Sequence, residues 1–325
     1  MTHDRRTFVK AAAATGALGL LPTIGRAQAK YPSRPIRYIC PWTAGGSTDI
    51  VMRSIAESAS KTIGQNVLID NKPGAGGTLG AVEVARSKPD GYTLTQLPVS
   101  VFRIPHMQRV QFNTLTDFTW IACLTGYTFG MVVPANSPIK SIQELVAYAK
   151  ANPGKFTYGS PGIATSPHLA VEEFCTHAGI EMQHVPFKGN AEGLQAVLGG
   201  HIMGLSDSTG WGPYVDEGKL RLLATYGSQR TKHWPNVPTL TELGYKTVSE
   251  SPYGICGPKN MAPELVKTIH DAFKQTLSDP KVLQTLERYD QTVNYMSTEQ
   301  YTKYAMETFE AERKTMDRLG LTVKT

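Results

Sequence analysis

The stretch Trp42-Thr43-Ala44-Gly45-Gly46-Ser47-Thr48-Asp49 joins an apolar run, Ile36 to Cys40, to a segment whose apolar residues recur at helical spacing, Ile50, Val51, Ile55 and Ala59. Gly45 and Gly46 let the backbone pass close to a guest, and Ser47, Thr48 or Asp49 offers a cap for the helix that follows. The first turn of such a helix presents unpaired N–H groups at the positive end of its dipole, which is the chemistry of an anion site. The loop holds no Lys or Arg. Donors without a cation suit a carboxylate that must be held and later released better than a permanently clamped phosphate.

Four further loops have the same build, each after an apolar strand-like run and before a helical pattern. They are Lys72 to Thr78, Gly159 to Thr165, Pro186 to Ala191 and Ser206 to Trp211. Lys188 is the one cation considered for ligand contact, with a solvated lysine as the alternative. Asp207 suits a hydroxyl, an ammonium or a bridging water rather than a carboxylate. His168 opens a helix, where it lines a cleft or is satisfied by backbone. Catalytic motifs fail on spacing. The third glycine of a dinucleotide fingerprint would fall at position 79, which is Leu. Gly159-Ser160-Pro161-Gly162 lacks the Gly-x-Ser-x-Gly of a nucleophile elbow. The histidines are scattered, and Cys40, Cys123, Cys175 and Cys256 form no CxxC. No metal, no cofactor and no enzyme activity is expected, and the cysteines are expected as buried free thiols rather than a disulfide.

Strand and helix signals alternate almost to the end, which predicts α/β architecture: two domains, each an open, mostly parallel sheet flanked by helices. Loops at the carboxyl ends of such strands are where ligands bind. Capping-box patterns at Ser141-x-x-Glu144, Thr239-x-x-Glu242 and Ser297-x-x-Gln300 predict helix starts. The first crossing is placed near Met131 to Pro134 and the return near Glu250 to Tyr253. One domain then spans 30–132 with 252–325, the other 133–251, and the ligand cleft lies between them.

Arg5-Arg6-Thr7-Phe8-Val9-Lys10, the apolar run Ala11 to Leu21, and Ala27-Gln28-Ala29 predict a cleaved export signal over residues 1–29. It looks like a twin-arginine signal; Asp4 departs from that pattern and leaves the general secretory route open. The apolar run is shorter than the ~20 residues that span a bilayer. The chain carries a net charge of +6. Cleavage after Ala29 leaves 29 basic and 26 acidic residues. No basic block interleaved with aromatics remains, so nucleic acid is not expected as a partner.

Several segments, in order, resemble the periplasmic solute-binding receptors of tripartite tricarboxylate transporters, also called Bug receptors. They are Tyr31-Pro32-x-Arg34-Pro35-Ile36-Arg37 leading into Pro41-x-x-x-Gly45-Gly46-x-x-Asp49, Asn71-Lys72-Pro73-Gly74-Ala75-Gly76-Gly77, and Pro89-Asp90-Gly91-Tyr92-Thr93-Leu94. Tyr158-Gly159-Ser160-x-Gly162 with His168-Leu169-Ala170, Val185-Pro186-Phe187-Lys188-Gly189, Gly218-Lys219-Leu220-Arg221 and Trp234-Pro235-Asn236-Val237-Pro238-Thr239 continue the match. The first loop departs from the commoner Pro-Phe-Pro-Pro-Gly-Gly.

The resemblance implies a Venus flytrap that closes on a small organic carboxylate, a di- or tricarboxylate or an aromatic one. Delivery would be to a membrane permease of the tripartite tricarboxylate type. It places Trp42, Thr43, Ala44, Gly45, Gly46 and Ser47 against one end of the ligand, with Asp49 at the following helix. Gly76, Gly77, Thr78 and Ser100 would complete that wall. Ser160, Thr165, Ser166 and His168 would face it, with Lys188, Gly189, Asp207 and the aromatic Trp211 nearby. The expected protein is a periplasmic monomer. Two other classes stand beside this reading: a co-receptor for a sensor kinase, using the same closure, and a periplasmic hydrolase.

Overall fold

The computed structural model describes residues 31–323. The expected export signal and the mature start at Lys30 lie outside the described residues. Eleven strands are present among them: β1 (Ile36–Cys40), β2 (Val67–Asn71), β3 (Thr93–Thr95), β4 (Phe118–Gly126), β5 (Phe129–Pro134), β6 (Thr157–Ser160), β7 (Gln183–Pro186), β8 (Gly204–Ser208), β9 (Leu220–Thr225), β10 (Pro252–Pro258) and β11 (Val293–Met296). The helices are α1 (Ser47–Ile63), α2 (Leu79–Ala85), α3 (Ser100–Met107), α4 (Ile142–Ala151), α5 (Ser166–Ala178), α6 (Asn190–Leu198), α7 (Gly212–Asp216), α8 (Pro263–Gln275), α9 (Pro280–Arg288) and α10 (Thr298–Arg318).

The strands form two sheets, ordered β11-β4-β10-β3-β1-β2 and β7-β6-β8-β5-β9. Two α/β domains flanked by helices are therefore present as expected. The sheets are mixed, however, and not mostly parallel. Pairing is parallel where a helix carries the chain from one strand to its neighbour, as in β1-α1-β2 and β6-α5-β7. It is antiparallel where a strand arrives by another route: β10 comes back from the other sheet and runs against both β3 and β4, and β5 runs against β8 and β9.

β5 lies wholly in the second sheet, so the first crossing falls at Tyr127 and Thr128, a few residues before the boundary placed at 132–133. The return ends at Ser251, just before β10. The two crossings touch, since Tyr127 N donates to Ser251 O at 3.1 Å.

Helix α1 buries Val51, Met52, Ile55, Ala56 and Ala59 on one face, the spacing that puts a stripe against a sheet. They pack with Tyr38, Ile255 and Phe273 in the first core. Gly64 ends the helix in the left-handed conformation, φ 78°. A second core joins Phe129, Val133, Phe156, Tyr158 and Phe174. Ser141 caps α4 through Glu144 N, although the Glu144 side chain accepts from Lys140 N rather than completing the box, and a full capping box at Ser297 opens α10. At Thr239 both arms of the box form, Glu242 N to Thr239 Oγ1 at 3.1 Å and Thr239 N to Glu242 Oε2 at 2.9 Å. No helix follows, because the chain reverses at Gly244, whose φ is 90°.

Candidate functional site

A small cavity of about 30 Å³ lies between the two sheets at their crossovers. The first domain contributes Trp42, Thr48, Pro98, Val99 and Ser100, and the crossings contribute Tyr127, Phe129 and Ser251. The second domain contributes Pro161, Thr165, Ser166, Pro167, Asn190, Asp207 and Ser208. Thr48, Ser100, Ser166 and Asn190 sit in the first turns of α1, α3, α5 and α6. None of these four helices carries a side-chain cap, whereas Ser141, Asp279 and Ser297 cap α4, α9 and α10. The starts of α1, α5 and α6 thus bring first-turn N–H groups from both domains to the cavity, whereas in α3 Val101 N and Phe102 N already donate to Pro98 O and Val99 O. No Lys, Arg or His is among the residues that line it.

The first glycine loop contributes less to the cavity wall than its composition suggests. Trp42 and Thr48 line the cavity, whereas Ala44 and Gly45 are exposed at its rim. Gly46 is the N-cap of α1. Asp49 neither caps the helix nor faces the cavity. It accepts from Gly45 N at 2.9 Å and from Asn71 Nδ2 at 2.8 Å, and it pairs with Arg53 at 2.9 Å. Burial pushes its carboxyl up, but Arg53, Gly45 and Asn71 together outweigh that and hold it below the ordinary value. Asp49 is thus a post that fixes the loop. In the second loop, Ser100 Oγ donates to Gly76 O, and Thr78 Oγ1 donates to Ala75 O at 2.8 Å. Gly77 stands where a Cβ would lie 2.9 Å from the Trp42 ring, so its lack of a side chain is what seats Trp42.

Of the residues expected on the opposite wall, Thr165, Ser166 and Asp207 line the cavity. Ser160 does not: its hydroxyl meets His184 Nε2 at 2.7 Å and Gly162 O at 3.2 Å, holding the turn before α5. His168 accepts the Ala164 N–H at 3.3 Å and stacks on His184 with centroids 4.1 Å apart. Burial, then the nearby Arg103, pushes its pKa down to about 4, so it is neutral and supports the turn in which Ala164 adopts φ 62°. Lys188 is exposed on a neighbouring outer groove. Trp211 is fully buried in the second domain, packed on Trp234 and donating to Asp207 O at 3.0 Å, so it is core and not a cavity wall.

The glycines at the domain boundary permit close approach of the two halves. A Cβ on Gly189 would lie 2.5 Å from Thr43 Oγ1, one on Gly46 would lie 3.3 Å from Asn190 Cβ, and one on Gly76 would lie 2.8 Å from Ile163 O. Ser47 and Ser208 hydroxyls meet across the boundary at 3.0 Å. Arg103, held by Glu312 through two contacts of 2.8 Å, reaches Ser166 Oγ at 3.1 Å. Asp207 is 2% exposed; burial pushes its carboxyl up to about 7 despite the Ser208 N–H that donates to it.

The sequence reading missed Thr48, Pro98, Val99, Tyr127, Phe129, Pro161, Pro167, Asn190, Ser208 and Ser251 as cavity residues. Asn190 and Ser208 were findable, each being adjacent to a residue already singled out. Tyr127, Phe129 and Ser251 sit on the crossings, and only the folded chain brings those segments together.

Two α/β domains joined by paired crossovers, with a cavity between them lined by residues of both, are the architecture of a solute-binding protein. The tripartite tricarboxylate transporter family receptor matches residues 51–321, and the chain belongs to that family. A UPF0065 protein from the gbd 5′ region of Cupriavidus necator is 48% identical over 322 residues, with 98% of each chain covered. The periplasmic binding protein BugD superposes with a TM-score of 0.86 at 27% identity, covering 90% of this chain and all of that one. An R. palustris protein solved with adipate gives a TM-score of 0.85 at 25% identity, covering 90% of this chain and 99% of its own.

Proposed function

We propose that this chain is an exported, monomeric periplasmic receptor that closes its two domains on a small organic carboxylate and presents it to a membrane permease of the tripartite tricarboxylate type. The observation that carries this reading is the cavity itself: helix starts without a side-chain cap, two from each domain, border a space walled by hydroxyls, aromatic rings and prolines, with one carboxylate, Asp207, and no Lys or Arg. A carboxylate there would accept several hydrogen bonds, each worth about 1.5–3 kcal/mol to a charged group, and no fixed cation would hinder its release. The solved relative with adipate supports the ligand class.

Residues 31–126 with 252–323 form one moving body and 129–250 the other, with Tyr127, Thr128 and Ser251 as hinge. Trp42, Thr48, Ser100, Thr165, Ser166, Asn190, Asp207 and Ser208 contact the ligand, whereas Gly46, Gly76 and Gly189 let the halves meet. Native mass spectrometry of freshly exported protein tests the reading. A retained small carboxylic acid is the expected result; a retained cation, sugar or peptide in its place would overturn it.

A further inference from the structure

Asp207 stands apart from every other residue of the cavity. It is the one charged side chain among the described residues that line it, and no Lys or Arg lines the cavity to balance it. One carboxylate oxygen accepts from Ser208 N at 2.6 Å and Ser208 Oγ at 3.3 Å, the Asn190 amide nearby offsets part of the burial, and Oδ2 makes no hydrogen bond within the protein. Asn190, 5% exposed and in the same wall, likewise has its Oδ1 without a donor while its Nδ2 reaches Ser208 O at 3.3 Å. Two buried acceptors in one small cavity are thus left without donors, and a buried acceptor without a donor is costly. The arrangement is complementary to a group that donates. It opposes a second carboxylate, because like charges sharing a desolvated site repel and no cation intervenes. The raised carboxyl pKa is consistent with the same lack of compensation.

We infer that the ligand is a monocarboxylate bearing a hydrogen-bond donor, hydroxyl or ammonium, and that Asp207 with Asn190 selects it by accepting from that donor while disfavouring dicarboxylates. The inference rests on the carboxylate-receptor reading above and narrows it. The carboxylate end of the ligand lies away from Asp207 and Asn190, toward the starts of α1, α3 and α5, so the two ends of the ligand meet walls of opposite polarity. Ligand discrimination then resides at one side chain rather than in the shape of the cavity alone.

The test is a calorimetric panel at about pH 8.5, above the raised Asp207 value so that its carboxylate is ionised, on the wild-type protein, Asp207→Asn and Asp207→Ser. At each chain length from three to six carbons it compares the ω-hydroxy acid, the ω-amino acid, the unsubstituted acid and the dicarboxylate. The hydroxy and amino arms tell which donor is used. In the wild type, the better donor-bearing acid should bind at least about tenfold tighter than the dicarboxylate and the unsubstituted acid of its length. Asp207→Asn should bring the dicarboxylate to within about threefold of it, chiefly by tightening the dicarboxylate. Asp207→Ser supplies the same comparison if the amide variant does not fold. A wild type that prefers dicarboxylates, with no change in the variants, overturns this inference and leaves the carboxylate reading standing. Equal binding of the unsubstituted acid does the same. Failure of every carboxylate to bind any form overturns both.

Discussion

Replacing Gly189 by Ala asks whether the two loops meet in the bound state. Gly189 has φ 167°, extended backbone open to any residue, so alanine introduces no strain of its own. Its Cβ would nevertheless lie 2.5 Å from Thr43 Oγ1 and 2.9 Å from Thr43 N, atoms of the opposite domain. Restoring an ordinary contact of 3.4 Å requires the loops to part by about 0.9 Å. The Ser47–Ser208 hydrogen bond, now 3.0 Å, would stretch to about 3.9 Å and be lost. With one or two cross-boundary hydrogen bonds weakened at about 0.5–1.5 kcal/mol each, closure loses about 0.5–3 kcal/mol, and affinity falls by about 2- to 150-fold. Each domain's own fold is untouched, so ligand-free melting should stay close to wild type. Gly46→Ala, whose Cβ would sit 3.3 Å from Asn190 Cβ at an ordinary φ of −75°, should cost less. Calorimetric titration with the acid retained by the wild type, alongside melting of the free proteins, checks this. Wild-type affinity in a normally folded Gly189→Ala protein would refute the idea that these loops close on each other.

Two further outcomes are expected. The Asp207 carboxyl is raised from 3.8 to about 7 in the folded chain, so the folded state favours its proton; stability is full below about pH 4 and is lost as pH rises through about 7. Asp207→Asn should therefore gain stability at pH 8 and none at pH 4, by at most about 4 kcal/mol at 1.36 kcal/mol per pKa unit, and urea unfolding at the two pH values measures it; equal gains at both would refute the assignment. Arg103→Lys keeps the charge but loses the forked grip on Glu312 and Ser166. It should weaken binding about three- to tenfold, or about 0.7–1.4 kcal/mol, while Arg318→Ala, which breaks a largely exposed pair with Glu173, should change it less, both read by titration.

Much of the architecture was legible because local signals agreed with the global fold. β1 matches its predicted run, and Ser141 and Ser297 cap helices as their spacing required. β4 and β11 were not read, although the Asn113–Asp117 turn precedes β4 and Gly126 ends it; β4 is recognisable by its pairing with β10 and β11. The sense of pairing was also out of reach, because β10 takes its place through a return from the other domain. At the site, Trp42, Ser100, Thr165, Ser166 and Asp207, expected at the ligand, line the cavity. Trp211, Lys188 and His168 were misplaced for one shared reason. Sequence tells that a side chain follows a strand end, but whether it then turns inward to core, outward to water or toward the cavity depends on packing.

Closure on a carboxylate is the central claim, and small-angle scattering of the same sample with and without the acid it retains reads it directly. The account predicts a radius of gyration that falls when the acid saturates the protein, and falls less in Gly189→Ala. A radius unchanged by saturating acid would contradict it.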